Sequence, residues 1–135
     1  TLVPNLGVVY LSDFRSFIVA DIPGIIEGAS EGKGLGIRFL KHIERTKILV
    51  HLIDLTQADP IGKYYKLREE LKRYSEKLIK KQEIIVGNKI DIESTEENVK
   101  ILKQHFNEVY FISALTGKGI GELLEVIWNK LKEIK

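Results

Sequence analysis

Cysteine and methionine are both absent from the 135 residues, and there are only three prolines and one tryptophan. Without cysteine, disulfide frameworks and thiolate metal sites are excluded. No apolar run approaches the roughly 20 residues of a membrane-spanning helix, and no signal peptide is visible. The expectation is a soluble cytoplasmic protein with no membrane span. An excess of one charge is missing too: 21 Lys and Arg stand against 19 Asp and Glu, for a net charge of +2. That is too little to argue for a nucleic-acid partner by itself. Position 1 is Thr rather than Met, so the expectation is that the gene product starts elsewhere.

With 44% hydrophobic and 30% charged residues the chain reads as ordinary globular protein, of about one domain. Val3 to Leu11 and Ser16 to Ala20 read as two strands around the turn signal Ser12-Asp13, hence an antiparallel hairpin. Asp21 to Gly36 is too dense in glycine for a regular element and is expected to be a mobile loop. Ile37, Leu40 and Ile43 recur at helical spacing. Ile48 to Ile53 is a continuous apolar run, the pattern of a parallel strand covered on both faces.

Helix and strand then alternate. Tyr64, Leu67, Leu71, Tyr74 and Leu78 form one stripe of a long helix. Glu83 to Gly87 is a strand, Thr95 opens a helix through Phe106, and Val109 to Ile112 is another strand. Ile120, Leu123, Leu124, Ile127, Trp128 and Leu131 line a terminal helix. Such alternation means an α/β fold with a parallel sheet and right-handed crossovers.

Open α/β sheets bind ligands at the carboxyl ends of their strands, and three motifs fall there. Asn88-Lys89-Ile90-Asp91 follows the strand ending at Gly87. The Asp91 carboxylate can accept hydrogen bonds from N1–H and the exocyclic amine of guanine, a donor pair that adenine lacks. The Asn88 amide can tie the loop to ring N7, and the stem of Lys89 can lie over the ring. Ser113-Ala114-Leu115 follows the next strand and would offer a backbone N–H to guanine O6, with Leu115 under the ring. Asp21-Ile22-Pro23-Gly24 is a D-x-x-G: its carboxylate would reach Mg²⁺ through water, and the Gly24 N–H would meet a γ-phosphate. Losing that phosphate would free the glycine-rich segment behind it.

Each motif has a bland alternative, a polar turn, and Ser113-Ala114-Leu115 alone is worth little. Their order and placement favour chemistry. The strand ending in G-x-x-x-x-G-K-[ST] that should precede them is absent. Gly117-Lys118-Gly119 does not replace it, because Ile112 stands where its first glycine should be. His51 reads as a satisfied core histidine. His42 and His105 read as helix-surface or partly packed residues without metal spacing. Lys72, Arg73, Lys77, Lys80 and Lys81 read as a solvated helix face, with contact to RNA as the weaker reading.

Thr1-Leu-Val-Pro-Asn-Leu-Gly7 and the stretch from Ala20 through Gly36, Arg38-Phe-Leu-Lys-His-Ile-Glu-Arg45 and on to Asp54 closely resemble the Obg family of bacterial GTPases. The likeness runs through the whole chain. It implies a P-loop NTPase-like, small GTPase-type domain with helices on both faces of its sheet. Residues 1–135 would be the part from switch I to the terminal helix, without the central P-loop strand and the family's amino-terminal glycine-rich domain. It also implies that Thr1, Leu2 and Val3 belong to switch I, with Thr1 and Asp21 holding Mg²⁺. GTP and GDP would be the ligands, with guanosine tetraphosphate as a further one. The family hydrolyses GTP slowly, and acts in large ribosomal subunit assembly and in growth and stress control. Ile25 stands where Ras-like proteins place the glutamine that orients water, and no residue here is a convincing catalytic base. A monomer is expected. The competing expectation is a nucleotide-independent interaction module, or an inactive fragment, that keeps the fold without the chemistry.

Overall fold

In the computed structural model, residues 6–11, 15–20, 46–74 and 76–134 are described. The elements run β1 (Leu6–Tyr10), β2 (Ser16–Ala20), β3 (Ile48–Asp54), α1 (Pro60–Tyr74), α2 (Glu76–Ile79) and β4 (Gln82–Asn88). A 3₁₀ turn (Glu93–Thr95), α3 (Glu96–His105), β5 (Tyr110–Ile112) and α4 (Ile120–Glu133) complete the order. The chain divides into two units, Thr1–Lys47 with Tyr65–Lys81, and Ile48–Tyr64 with Gln82–Lys135.

The first unit holds the hairpin expected from the two β-rich runs. β1 and β2 pair antiparallel from Leu6↔Ala20 to Tyr10↔Ser16, and Leu11 N donates to Arg15 O at 2.9 Å just past the strands. The stripe expected to make one helix as far as Leu78 falls on helix on both sides of Ser75, which lies outside the described residues. α1 ends at Tyr74, and the short α2 follows. The Arg68 guanidinium donates to the Ile79 carbonyl at 3.1 Å, tying the end of α2 back to α1. Of the basic residues read as a solvated face, Lys72, Arg73, Lys77 and Lys80 are exposed. Lys81 instead donates to the Thr46 carbonyl.

The second unit is a parallel three-stranded sheet in the order β3-β4-β5. β4 is central and reads Gln-Glu-Ile-Ile-Val-Gly-Asn, with Ile84 to Gly87 all buried. A Cβ on Gly87 would lie 2.8 Å from the Phe111 ring, so the strands approach there only with glycine. The core gathers Ile53, Leu55, Tyr64, Ile85 and Leu102, with Val99, Phe106 and Phe111 packed against them. β3 departs from expectation. Leu49 and Ile53 are buried, but Val50 is 39% and Leu52 56% exposed. An apolar run marks a strand able to be covered twice; cover itself needs elements on both faces. Among the described residues, β4 is the one strand beside β3.

Local chemistry sets the helix starts. Asp59 adopts φ 51° and its Oδ1 accepts from Gly62 N at 3.1 Å, with Pro60 as the first helical residue of α1. Pro is suited to that position because its missing N–H has no partner there anyway. Thr95 was expected to open the next helix. It does so as the N-cap, with α3 starting at Glu96, though its hydroxyl donates to Ile92 O at 2.7 Å rather than to the first turn of the helix. Gly119 precedes α4 with φ 79°, and a Cβ there would sit 2.5 Å from the Phe111 carbonyl oxygen. The Gly117-Lys118-Gly119 run is therefore a helix entry. His51 has its ring 4.6 Å from that of Tyr64, and its Nδ1 is 3.8 Å from the Glu83 carboxylate, which also accepts from the Tyr64 hydroxyl.

At the start of β5, the Tyr110 hydroxyl donates to Glu108 Oε1 at 2.8 Å, and Lys130 Nζ lies 3.2 Å from the same carboxylate. Burial, then the hydrogen bond to Glu108 and its charge, push the Tyr110 phenol up to about 12 from 10.0. A raised folded value stabilises below the unfolded value and fades as pH climbs through the folded one. Tyr110 thus supports the fold fully below pH 10, and that support is lost between about pH 10 and 12. Tyr110→Phe should flatten this part of the stability profile, measured by urea unfolding at stepped pH, and absorbance at 295 nm should lose its late phenolate component.

Candidate functional site

β3, β4 and β5 are parallel, so their carboxyl ends share one edge. Asp54 pairs with Asn88, and Asn88 with Ile112, so the three strands finish in one row. The Asn88-Lys89-Ile90-Asp91 and Ser113-Ala114-Leu115 loops leave from adjacent positions in it.

Asn88 joins them. Its Oδ1 accepts from its neighbour Lys89 N at 2.8 Å and from Ala114 N, across on the β5 loop, at 3.0 Å. A second bond, Ile90 N to Ile112 O at 3.2 Å, ties the same loops through the backbone. Lys89 sits at φ 78°, the left-handed region that a non-glycine residue enters at a cost of about 1–2 kcal/mol. That conformation turns the loop within two residues, and Ile92 N closes it on Lys89 O at 3.1 Å. Asp91 is exposed beyond it.

The β5 loop is tied by hydrogen bonds within itself. Ser113 is fully buried; its N donates to Lys118 O at 2.9 Å and its hydroxyl oxygen accepts from Thr116 N at 3.1 Å. The amides of Ser113 and Ala114 are thus both engaged within the protein, which bears on the expected donation to guanine O6. Leu115 is 88% exposed. A large apolar side chain so open is a natural surface for a planar ring.

One contributor was missed by the sequence reading. Asp54, the last residue of β3, places Oδ2 2.9 Å from Lys89 Nζ, while its Oδ1 accepts from Thr56 N at 2.9 Å and Thr56 Oγ1 at 2.6 Å. Those bonds from Thr56, then the one from Lys89, hold the Asp54 carboxyl well below the ordinary carboxylate range. The group stays ionised at neutral pH, and its contribution fades only in acid below its ordinary value of 3.8. An acid at the carboxyl end of a parallel strand, followed two residues later by Thr, was the available signal. Asn98 supports the same corner, donating to Leu55 O at 2.8 Å and Gln57 O at 3.0 Å.

Of the anticipated residues, Asn88, Lys89, Ile90, Asp91, Ser113, Ala114 and Leu115 fall on these two loops. Thr1, Leu2, Val3, Asp21, Ile22, Pro23 and Gly24 lie outside the described residues, as do Ile25, His42 and the helix expected from Ile37. Among the described residues no group of three metal-ligating side chains comes together, and no helix is long and apolar enough to cross a membrane. His105 is exposed, its ring 4.8 Å from that of Phe106.

An α/β chain with an antiparallel hairpin, a parallel sheet and N-K-x-D and S-A-L loops at its carboxyl edge has the form of a GTPase domain of the P-loop NTPase-like class. The family model described as 50S ribosome-binding GTPase matches residues 1–89. Proteins named GTPase Obg match more widely. That of Caldicellulosiruptor saccharolyticus is 46% identical over 142 residues, covering 100% of this chain and 33% of the relative. That of Fervidobacterium nodosum is 50% identical over 144 residues, again 100% and 33%. That of Anoxybacillus flavithermus is 49% identical over 138 residues, 98% and 32%. The chain belongs to the 50S ribosome-binding GTPase family, with an Obg-type G-domain sequence. It spans about a third of the length of the curated relatives it matches.

Asn88→Ala should leave the Ala114 and Lys89 amides without their acceptor and cost about 1–2 kcal/mol of stability. Hydrogen exchange should then speed up at Ala114 and Lys89 while the β4 core amides stay protected.

Proposed function

We propose that the intact protein containing this chain is a guanine-nucleotide switch that binds GTP and GDP with Mg²⁺. It hydrolyses GTP slowly to GDP and phosphate. The observation that carries this reading is the Asn88 side chain, which seats the two base-reading loops side by side. In the bound state Asp91 accepts from guanine N1–H and the exocyclic amine, the Lys89 stem lies on one face of the ring and Leu115 on the other. With the Ala114 amide held by Asn88, donation to O6 falls to the Leu115 amide or to a loop that reopens on binding. Asp21, Ile22, Pro23 and Gly24, together with Thr1, Leu2 and Val3, form the phosphate and Mg²⁺ side, Mg²⁺ supplying charge neutralisation for the transferred phosphate. No catalytic base is assigned, and with Ile25 in place of a water-orienting glutamine the turnover should be on the order of 10⁻³ s⁻¹ or below.

Residues 1–135 form the part of the G domain from switch I to the terminal helix, and alone are inactive. The family model's description names the 50S ribosome, which supports the large subunit and its RNA as partner. We extend the same reading to a role in subunit assembly and in growth and stress control, to guanosine tetraphosphate as a further ligand, and to a monomer in the cytoplasm.

The test is Asp91→Asn in the intact protein. It should weaken GTP binding at least 100-fold, by leaving a buried base donor facing a donor, and shift preference to xanthosine triphosphate, whose C2 oxygen accepts. Titration calorimetry with both nucleotides reads the outcome. Unchanged GTP affinity would return the chain to the rival reading, an interaction module that keeps the fold without the nucleotide.

A further inference from the structure

We infer that Asp54 is a positioning residue for guanine-nucleotide binding: it fixes the Lys89 ammonium so that the lysine stem is held in place for the base. The inference rests on the guanine reading of the two loops and adds a third strand end to them.

Lys89 is held at both ends. Its backbone N–H donates to Asn88 Oδ1 at 2.8 Å, and its Nζ lies 2.9 Å from Asp54 Oδ2. A lysine free at such a loop would sample many rotamers, and a face-stacking role uses one of them. Exposed ion pairs usually contribute little because two long side chains must be ordered together. Here one partner is already ordered. Asp54 has a short side chain at a strand end, and its other oxygen takes both the amide and the hydroxyl of Thr56, at 2.9 and 2.6 Å. Only Lys89 loses freedom, and it does so before any ligand arrives, which is the general advantage of preorganisation. The strand register makes the pair possible, since Asp54 stands directly beside Asn88 and one residue from Lys89.

Asp54→Asn isolates the contact. The amide oxygen can still accept from Thr56, while an NH₂ replaces the oxygen facing Lys89, so the turn survives and the ammonium is released. In the intact protein, GDP affinity should fall about three- to tenfold, the scale of one charge-assisted contact. Because a lysine stem lies on any purine alike, affinity for inosine diphosphate, which lacks the 2-amino group, should fall by the same factor and the GDP-to-inosine ratio should not change. A collapse of the loop would displace Asp91 and alter that ratio. In a Lys89→Met background, which keeps the stem and removes the charge, Asp54→Asn should bring no further loss. The inference is overturned by GDP affinity unchanged within twofold, by a shifted base ratio, or by a loss that persists undiminished with Lys89→Met. A wild-type protein that binds no guanine nucleotide overturns the site reading itself, and this inference with it.

Discussion

One amide oxygen organises this edge of the protein. Asn88 Oδ1 accepts from the amide that follows it and from Ala114 on the neighbouring loop. A side chain bonded only to its own turn would shape one loop, whereas this one fixes the separation of two. Its place is set by the sheet, because parallel pairing aligns Asp54, Asn88 and Ile112 in a single row. The core beneath the row, built on Ile53, Leu55, Ile85 and Leu102, keeps the register from slipping. A slip of one residue would turn every side chain of a strand to the other face.

Around that oxygen the polar groups are arranged so that few are left to choose. The amides of Ser113 and Thr116 are taken inside the β5 loop, that of Ala114 by Asn88, and the carbonyls of Leu55 and Gln57 by Asn98. Asp54 is ionised and occupied on both oxygens. Among the exposed groups at this edge are Asp91, a carboxylate, and Leu115, an apolar surface. A flat ring with a donor edge matches both, which is why these loops support the guanine reading better than a decorated turn would.

The reading from residues worked where local chemistry and periodicity agree. The Ser16–Ala20 strand, the β4 run and the terminal helix from Ile120 all lie close to where alternation and spacing put them. It failed where a decision depends on partners distant in sequence. Val50 and Leu52 are as apolar as their neighbours and still lie open. Asp54 went unmarked because its partner Lys89 is 35 positions away.

By itself the sequence determined the class of fold, the order of its elements and the two loops that leave the carboxyl edge of the sheet, because those follow from short-range patterns and from motif spacing. Tertiary structure decided which atoms meet: that Asn88 spends its oxygen on Ala114, that the Ala114 amide is therefore engaged, and that Lys89 is anchored to the end of β3. Such pairings depend on strand register and on a left-handed turn at Lys89. Neither leaves a periodic trace along the chain, since both arise only when separate segments are brought to a common edge.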